Sequence, residues 1–145
     1  MVFHSMDELK QYILSRSGSA LRQTVEQVYQ IIDKFVKEFY AEYSPEMYER
    51  TYQLYRSLVK TDIQPISNGW RAEVYFDYSS LVYTSGAKPS GLQVMETAAH
   101  GGHGAEGLHI EHGGTAIWDE PMAILQTQAI EILKRILISN GIPVR

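Results

Sequence analysis

The feature that most constrains this chain is a long run of helical spacing over residues 20–43. Apolar side chains recur there at steps of three and four residues: Leu21, Val25, Val28, Ile32, Phe35, Val36 and Phe39. Such spacing places them on one face of a helix, opposite the charged side chains. The sequence therefore predicts a long helix that must bury this face against the rest of the chain.

Three further helices are predicted around it. Residues 7–14 form a short leading helix that the run of Ser and Gly at 15–19 breaks. Ser44 and Pro45 start a second helix, whose tyrosines at 48, 52 and 55 share one face. A closing helix begins at the acidic pair Asp119 and Glu120, whose carboxylates suit a helix start, and ends at Asn140-Gly141.

The middle of the chain changes to strand patterns. Residues 58–63 and 70–78 flank the turn signal Asn68-Gly69 and predict a hairpin, with Trp70, Ala72, Val74 and Phe76 on its covered face. Short strands are expected at 79–84 and 115–118, and a short helix at 92–99. The fold class is therefore α+β, a single domain over residues 1–145 in which helices pack on a small, mostly antiparallel sheet.

Composition excludes several classes of function. Hydrophobic residues make up 44% of the 145 residues and charged residues 21%, as in ordinary globular domains. The formal net charge of -4 disfavours sequence-specific nucleic-acid binding, which needs a concentrated basic surface. The absence of cysteine excludes disulfides and thiolate chemistry. Without a signal peptide or a long apolar run, we expect a soluble protein with no membrane partner.

Residues 100–114 are dense in glycine and hold four of the five histidines. Glycine makes regular structure entropically costly, so a mobile loop is expected. Imidazole is also a common metal ligand, which leaves a metal site as the alternative, and with it a small metal-dependent hydrolase. Its ligands would be His100, His103, His109 and His112, although the glycines offer little to hold them in place.

Other catalytic patterns are missing from the sequence. The glycines lack the GxxxxGK[ST] lysine of phosphate loops, the serines lie in no GxSxG turn, and no HExxH helix is present. We therefore expect no enzyme and no cofactor. The ten tyrosines instead suit half-wet interfaces, with Tyr55 as an interface candidate. Trp118 could be either a core anchor or an interface residue.

Three segments carry a family resemblance. They are Tyr43-Ser44-Pro45 through Arg50-Thr51-x-x-Leu54-x-x-Ser57; His100-Gly101-Gly102-His103-Gly104; and Trp118-Asp119-Glu120-Pro121 through Gly141-Ile142-Pro143. From about residue 20 onwards the chain resembles the neck or tail-completion proteins of long-tailed phages and prophages, which are related to the HK97 connector proteins. The extra helix before Ser17 and the second histidine pair depart from that plan.

The resemblance implies a virion structural protein of the neck or tail, made in the host cytoplasm. Such proteins form a homo-oligomeric ring at the head–tail junction and join the tail tube protein to the head-completion protein, with DNA passing through the ring. A glycine-rich loop that orders when a partner arrives would suit this assembly. The predicted interface residues are then His100, Gly101, Gly102, His103, Gly104, Trp118 and Tyr55.

Overall fold

The computed structural model describes residues 2–42, 52–83, 88–103 and 112–144. Its helices are α1 (Met6–Glu42), α2 (Gln53–Ser57), α3 (Gly91–Ala99) and α4 (Asp119–Ser139). Its strands are β1 (Leu58–Lys60), β2 (Gln64–Ile66), β3 (Gly69–Arg71), β4 (Val74–Phe76), β5 (Gly102–His103) and β6 (His112–Gly113). The architecture is α+β, with long first and last helices and small antiparallel strand pairs, as predicted.

Helix α1 is longer than expected, because the predicted break at residues 15–19 does not exist. Gly18 is buried, and a Cβ built on it would lie 3.0 Å from Cε2 of Trp70. The indole N–H of Trp70 donates a hydrogen bond to the Leu14 carbonyl at 2.8 Å. The glycine thus provides space for a ring that packs on the helix, and the leading helix is continuous with the long one.

The predicted hairpin is confirmed. Strand β1 pairs with β4, Leu58 opposite Phe76, and β2 pairs with β3, Ile66 opposite Gly69. Trp70, Ala72, Val74 and Phe76 are buried or half-buried, whereas the intervening residues 71, 73 and 75 are exposed, so the predicted face is correct. Helix α1 covers this face, since it contacts β1, β3 and β4.

Two predicted strands are wrong. Residues 78–80 form a 3-10 turn, because the Asp77 carboxylate accepts a hydrogen bond from the Ser79 amide at 3.2 Å. Residues 115–118 form no strand, since the Ile117 amide bonds the Ala98 carbonyl and the chain turns into α4. Of the second predicted helix, the structure describes α2, which ends at Ser57; residues 43–51 lie outside the described part.

The core lies between α1, α4 and the hairpin of strands β1 to β4. Its buried residues come from α1, α2, α4, the hairpin, the end of α3 and the segments that precede α3 and α4: Ile32, Val36, Phe39, Leu54, Leu58, Phe76, Leu81, Ala98, Ile117 and Leu125. A smaller cluster joins Ala20 to Ile132 and Ile136 further along the same helix pair. Helix α4 ends as predicted, with Gly141 in the left-handed conformation at φ +81°. The Gly141 amide donates to the Ile138 carbonyl, and the Ile142 amide donates to the Leu137 carbonyl.

Candidate functional site: the base of the His/Gly segment

The two ends of the His/Gly segment meet. Strands β5 and β6 pair antiparallel, with Gly102 opposite Gly113 and His103 opposite His112 in register. The segment predicted as a loop therefore closes at its base into a short strand pair, and residues 104–111 lie outside the described part. We call the residues that hold this closure the loop base: Glu42, His100, Gly101, Gly114, Thr115, Asp119 and Glu120.

Gly101 makes the closure possible. It follows α3 at φ +82°, a left-handed conformation that favours glycine. Its carbonyl accepts the Gly114 amide at 2.8 Å, and its own amide bonds the Ala98 carbonyl at 3.1 Å. A Cβ at this position would lie 2.1 Å from the Gly114 carbonyl oxygen. Both the backbone angle and the contact therefore require glycine here.

Glu42 fixes the far end of the segment to α1. One carboxylate oxygen accepts the Thr115 amide at 2.6 Å, and the other accepts the Thr115 hydroxyl. A carboxylate in the last turn of a helix is disfavoured by the helix dipole, and these two charge-assisted hydrogen bonds offset that cost. The C-terminal end of α1 thus positions the chain as it leaves β6.

The start of α4 completes the loop base. His100 Nδ1 lies 2.5 Å from Asp119 Oδ2, with both side chains more than half exposed. One residue further, the Glu120 carboxylate accepts the Ala116 amide at 3.1 Å. The acidic pair predicted to complement the helix dipole therefore also ties α4 to both ends of the His/Gly segment.

The predicted interface residues lie in different surroundings. His100 is exposed, whereas Gly101 and Gly102 are buried. Trp118 is half-buried against the core, edge-on to Phe76 with ring centroids 6.1 Å apart. Tyr55 is half-buried, edge-on to Tyr40 at 6.0 Å. Gly104 lies outside the described residues, and a contact role for the set stays a prediction.

The metal alternative concerns four histidines, of which His109 lies outside the described residues. Within residues 2–42, 52–83, 88–103 and 112–144, no group of three or more His, Asp or Glu could share a metal ion. His100 is engaged with Asp119, and the backbone register sets His103 opposite His112. Metal binding by the four histidines therefore stays an untested alternative.

A shallow groove of about 720 Å³ runs between α1 and α4, lined by Ile31 and Ile132 together with charged and amide side chains, several of which are paired. On its α1 side, Lys60 and Gln30 both donate hydrogen bonds to the Glu26 carboxylate. These bonds, led by that from Lys60, lower the pKa of Glu26 from its ordinary value. Arg135 of α4 donates to the Gln27 amide oxygen at 3.1 Å. The Lys60–Glu26 pair links β1 to α1, and the Arg135–Gln27 pair links α4 to α1. These polar side chains therefore hold the fold together.

Sequence reasoning missed two contacts of the loop base. Glu42 stands at the end of a helix stripe among other charged residues, and nothing in its spacing points to Thr115, 73 residues later. The pairing of His100 with Asp119 was equally hidden, since each had a local explanation. The doubled glycines at 101–102 and 113–114 were the one available signal, because they mark where two chain segments approach closely.

Comparison with known proteins gives a family assignment. The family model named YomN matches residues 5–139, which include α1, the hairpin, the loop base and α4. No curated protein and no solved structure matches this chain. Among the described residues, none of the helices has the length and apolar character needed to cross a membrane.

Proposed function

This chain belongs to the YomN family, which is associated with Bacillus phages and prophages, and from that premise we propose that it is a virion structural protein of the head–tail junction. In this role it is a tail-completion or neck protein. Copies of the chain form a ring that joins the tail tube protein to the head-completion protein. Family membership makes the protein phage-related, and the position in the particle is our proposal.

The match over residues 5–139 is the observation that supports the phage association. It spans nearly all of the 145 residues, so this association applies to the helices, the hairpin and the loop base together. The finer role is our proposal, and it rests on the resemblance of the segments around Ser44-Pro45, His100–Gly104 and Trp118–Pro121 to tail-completion proteins.

The loop base supports a contact role for the His/Gly segment. Three separate helices hold it: Glu42 from α1, His100 at the end of α3, and Asp119 and Glu120 from α4. A recognition segment works best when a rigid framework fixes its ends. We propose that this framework presents the segment to a neighbouring protein of the junction.

The carboxylates of the loop base favour a non-enzymatic role for the protein. The carboxylates of Glu42, Asp119 and Glu120 each have a hydrogen-bond partner within the fold, so they serve the closure of the segment. The net charge of -4 also suits a ring around a DNA channel, since a basic lumen would retain the genome.

Deletion of the gene from its phage or prophage tests the proposal. Induced lysates should contain filled heads and separate tails in electron micrographs, and a plasmid copy should restore joined particles. Mass spectrometry of purified wild-type virions should detect the protein at several copies per particle. Normal infectious virions that lack the protein would refute the structural role.

A further inference from the structure

The chain contains two asparagines, and both lie in the same tetrapeptide. Residues 66–69 and residues 138–141 each read Ile-Ser-Asn-Gly, with the asparagines at positions 68 and 140. Asparagine followed by glycine is prone to spontaneous loss of its side-chain amide, because no Cβ on the glycine shields the backbone nitrogen that attacks it. The local chemistry of the two sites is matched, so the fold sets the difference between them.

The first tetrapeptide lies in an exposed turn. Ser67 and Asn68 connect β2 to β3, beyond the last pair of these strands, Ile66 opposite Gly69. Asn68 and all three residues of β2 are exposed, and within the described part of the chain the Asn68 side chain makes no hydrogen bond. A Cβ at Gly69 would have no atom within 4 Å. Since only the terminal strand pair must separate, this turn opens at a low free-energy cost.

The second tetrapeptide is held by the fold. Asn140 follows α4 and is only 9% exposed. Its side-chain nitrogen donates to the Ile136 carbonyl at 2.8 Å, and its side-chain oxygen accepts from Gln23 of α1 at 3.4 Å. The Gly141 amide donates to the Ile138 carbonyl at 2.9 Å. The attacking nitrogen and the side-chain amide are therefore both engaged, and reaction here requires the end of α4 to unfold.

We propose that Asn68 is a site of spontaneous deamidation in the folded protein and that Asn140 is protected. The Gly69 amide nitrogen attacks Cγ of Asn68 and gives up its proton to water, and ammonia leaves, which closes a succinimide ring. Water, the one co-reactant, then opens the ring. Cleavage between the nitrogen and Cγ gives aspartate, whereas cleavage between the nitrogen and the main-chain carbonyl carbon gives isoaspartate.

Both products change the end of the hairpin. Each adds a carboxylate to a chain whose formal net charge is already -4. Isoaspartate also adds a methylene to the main chain, which distorts a two-residue turn between paired strands. Trp70 follows Gly69 directly and packs on Gly18, so the altered turn lies beside the contact of β3 with α1. The tip of the hairpin is therefore the part of the chain whose chemistry changes with age.

Peptide mass spectrometry of the folded wild-type protein tests the difference between the two sites. Trypsin places the asparagines in separate peptides, residues 61–71 and 136–145. After incubation in mildly alkaline buffer, the amide-to-acid mass change should appear at Asn68 at least about tenfold faster than at Asn140. In guanidinium chloride, which unfolds both sites, the two rates should agree within about threefold. Equal rates in the folded protein, or a ratio that unfolding leaves unchanged, would overturn the proposal.

Gly69→Ala is the matched variant. The open space around Gly69 admits the new Cβ, while the methyl group shields the attacking nitrogen and should slow the reaction at Asn68 by about tenfold or more. Circular dichroism confirms that the variant is folded. Asn68→Asp provides the chromatographic standard for the aspartyl peptide, and a second peak of equal mass identifies isoaspartate. Unchanged deamidation in Gly69→Ala would refute the succinimide route.

Deamidation at Asn68 is independent of the proposed head–tail role. It takes place in the folded chain whether or not gene deletion separates heads from tails. The two tests can therefore fail separately.

Discussion

The Trp70 indole packs against Gly18, where a Cβ would lie 3.0 Å from the ring, and its N–H donates to Leu14 one turn earlier. The strand β3 of the hairpin thereby packs on α1 at a small residue, in addition to the contacts of β1 and β4 with the same helix. A glycine inside a helix normally lowers its stability by about 1 kcal/mol relative to alanine, and here the packing of an aromatic ring compensates.

Enlarging residue 18 should therefore destabilise the protein. We expect Gly18→Leu to lower the free energy of unfolding by about 1–3 kcal/mol despite its better helix propensity, because the side chain displaces Trp70. Urea titration followed by tryptophan fluorescence measures the change. Gly69→Ala is the control, since no atom lies within 4 Å of its Cβ. Equal stability of Gly18→Leu and wild type would show that Trp70 can be displaced without cost.

A comparison of alanine variants at Gly101 and Gly141 separates the stability contributed by closure of the loop base from the cost of backbone strain. Both have φ near +80°, so alanine at either position should cost about 1–2 kcal/mol from the left-handed conformation alone. At Gly101 the new Cβ also meets the Gly114 carbonyl, whereas at Gly141 it meets the movable Tyr12 hydroxyl. We expect Gly101→Ala to be clearly the more destabilising in thermal or urea unfolding. Equal losses would show that the segment opens easily at its base.

Removal of the Glu42 charge should loosen the segment from α1. Glu42→Gln retains one acceptor for Thr115 and should lower the free energy of unfolding by about 1.5–3 kcal/mol, the range for hydrogen bonds to charged groups. Hydrogen exchange at the Thr115 amide should also accelerate. Glu38→Gln is the control, because Glu38 forms an exposed pair with Lys34 at 3.6 Å and should change stability by less than about 0.5 kcal/mol. Unchanged exchange at Thr115 in Glu42→Gln would contradict the assignment.

The lowered pKa of Glu26 predicts a small pH dependence. A carboxyl whose pKa is lower in the folded than in the unfolded state stabilises the protein above its unfolded pKa, and this contribution is lost as pH falls through the folded pKa. Glu26→Gln should therefore be less stable than wild type at neutral pH, and the difference should shrink in acid, as pH falls through the lowered pKa of Glu26. Urea titrations at both pH values and at low salt measure it. A difference that persists in acid would assign the effect to packing instead of charge.

The His-rich segment gives a metal prediction. Protein purified without a tag should contain much less than one zinc, nickel or manganese ion per chain, and chelator should leave its melting temperature unchanged. Elemental analysis and thermal unfolding check both statements. A stoichiometric metal that is lost in the His103→Ala, His109→Ala double variant would restore the metal-binding alternative.

Periodic patterns predicted the helices and the hairpin because buried residues recur once per turn of a helix and at every second position of a strand. The stripe that includes Ile32, Val36 and Phe39 is buried as expected. Gly18 was misread because a glycine that breaks a helix and one that admits a neighbouring ring have the same local sequence. The difference depends on Trp70, 52 residues away, which local spacing cannot reveal.

The candidate site was predictable in position but not in construction. Histidine and glycine density marked residues 100–114, whereas the hydrogen bonds that close the base involve Glu42 and Asp119, whose roles depend on tertiary packing. The strand predicted at 115–118 failed for the same reason, because its backbone groups bond Glu42, Glu120 and Ala98 instead of a neighbouring strand.

One unbroken helix, α1, carries the exposed Met6 at its start and Glu42 at its end. Its 37 residues span about 55 Å and pack along one side against the hairpin and α4. Because the helix has no break, its first turn and the carboxylate that holds Thr115 keep a fixed distance and direction from each other. Helix α1 thus acts as a spacer between the start of the fold and the His/Gly segment.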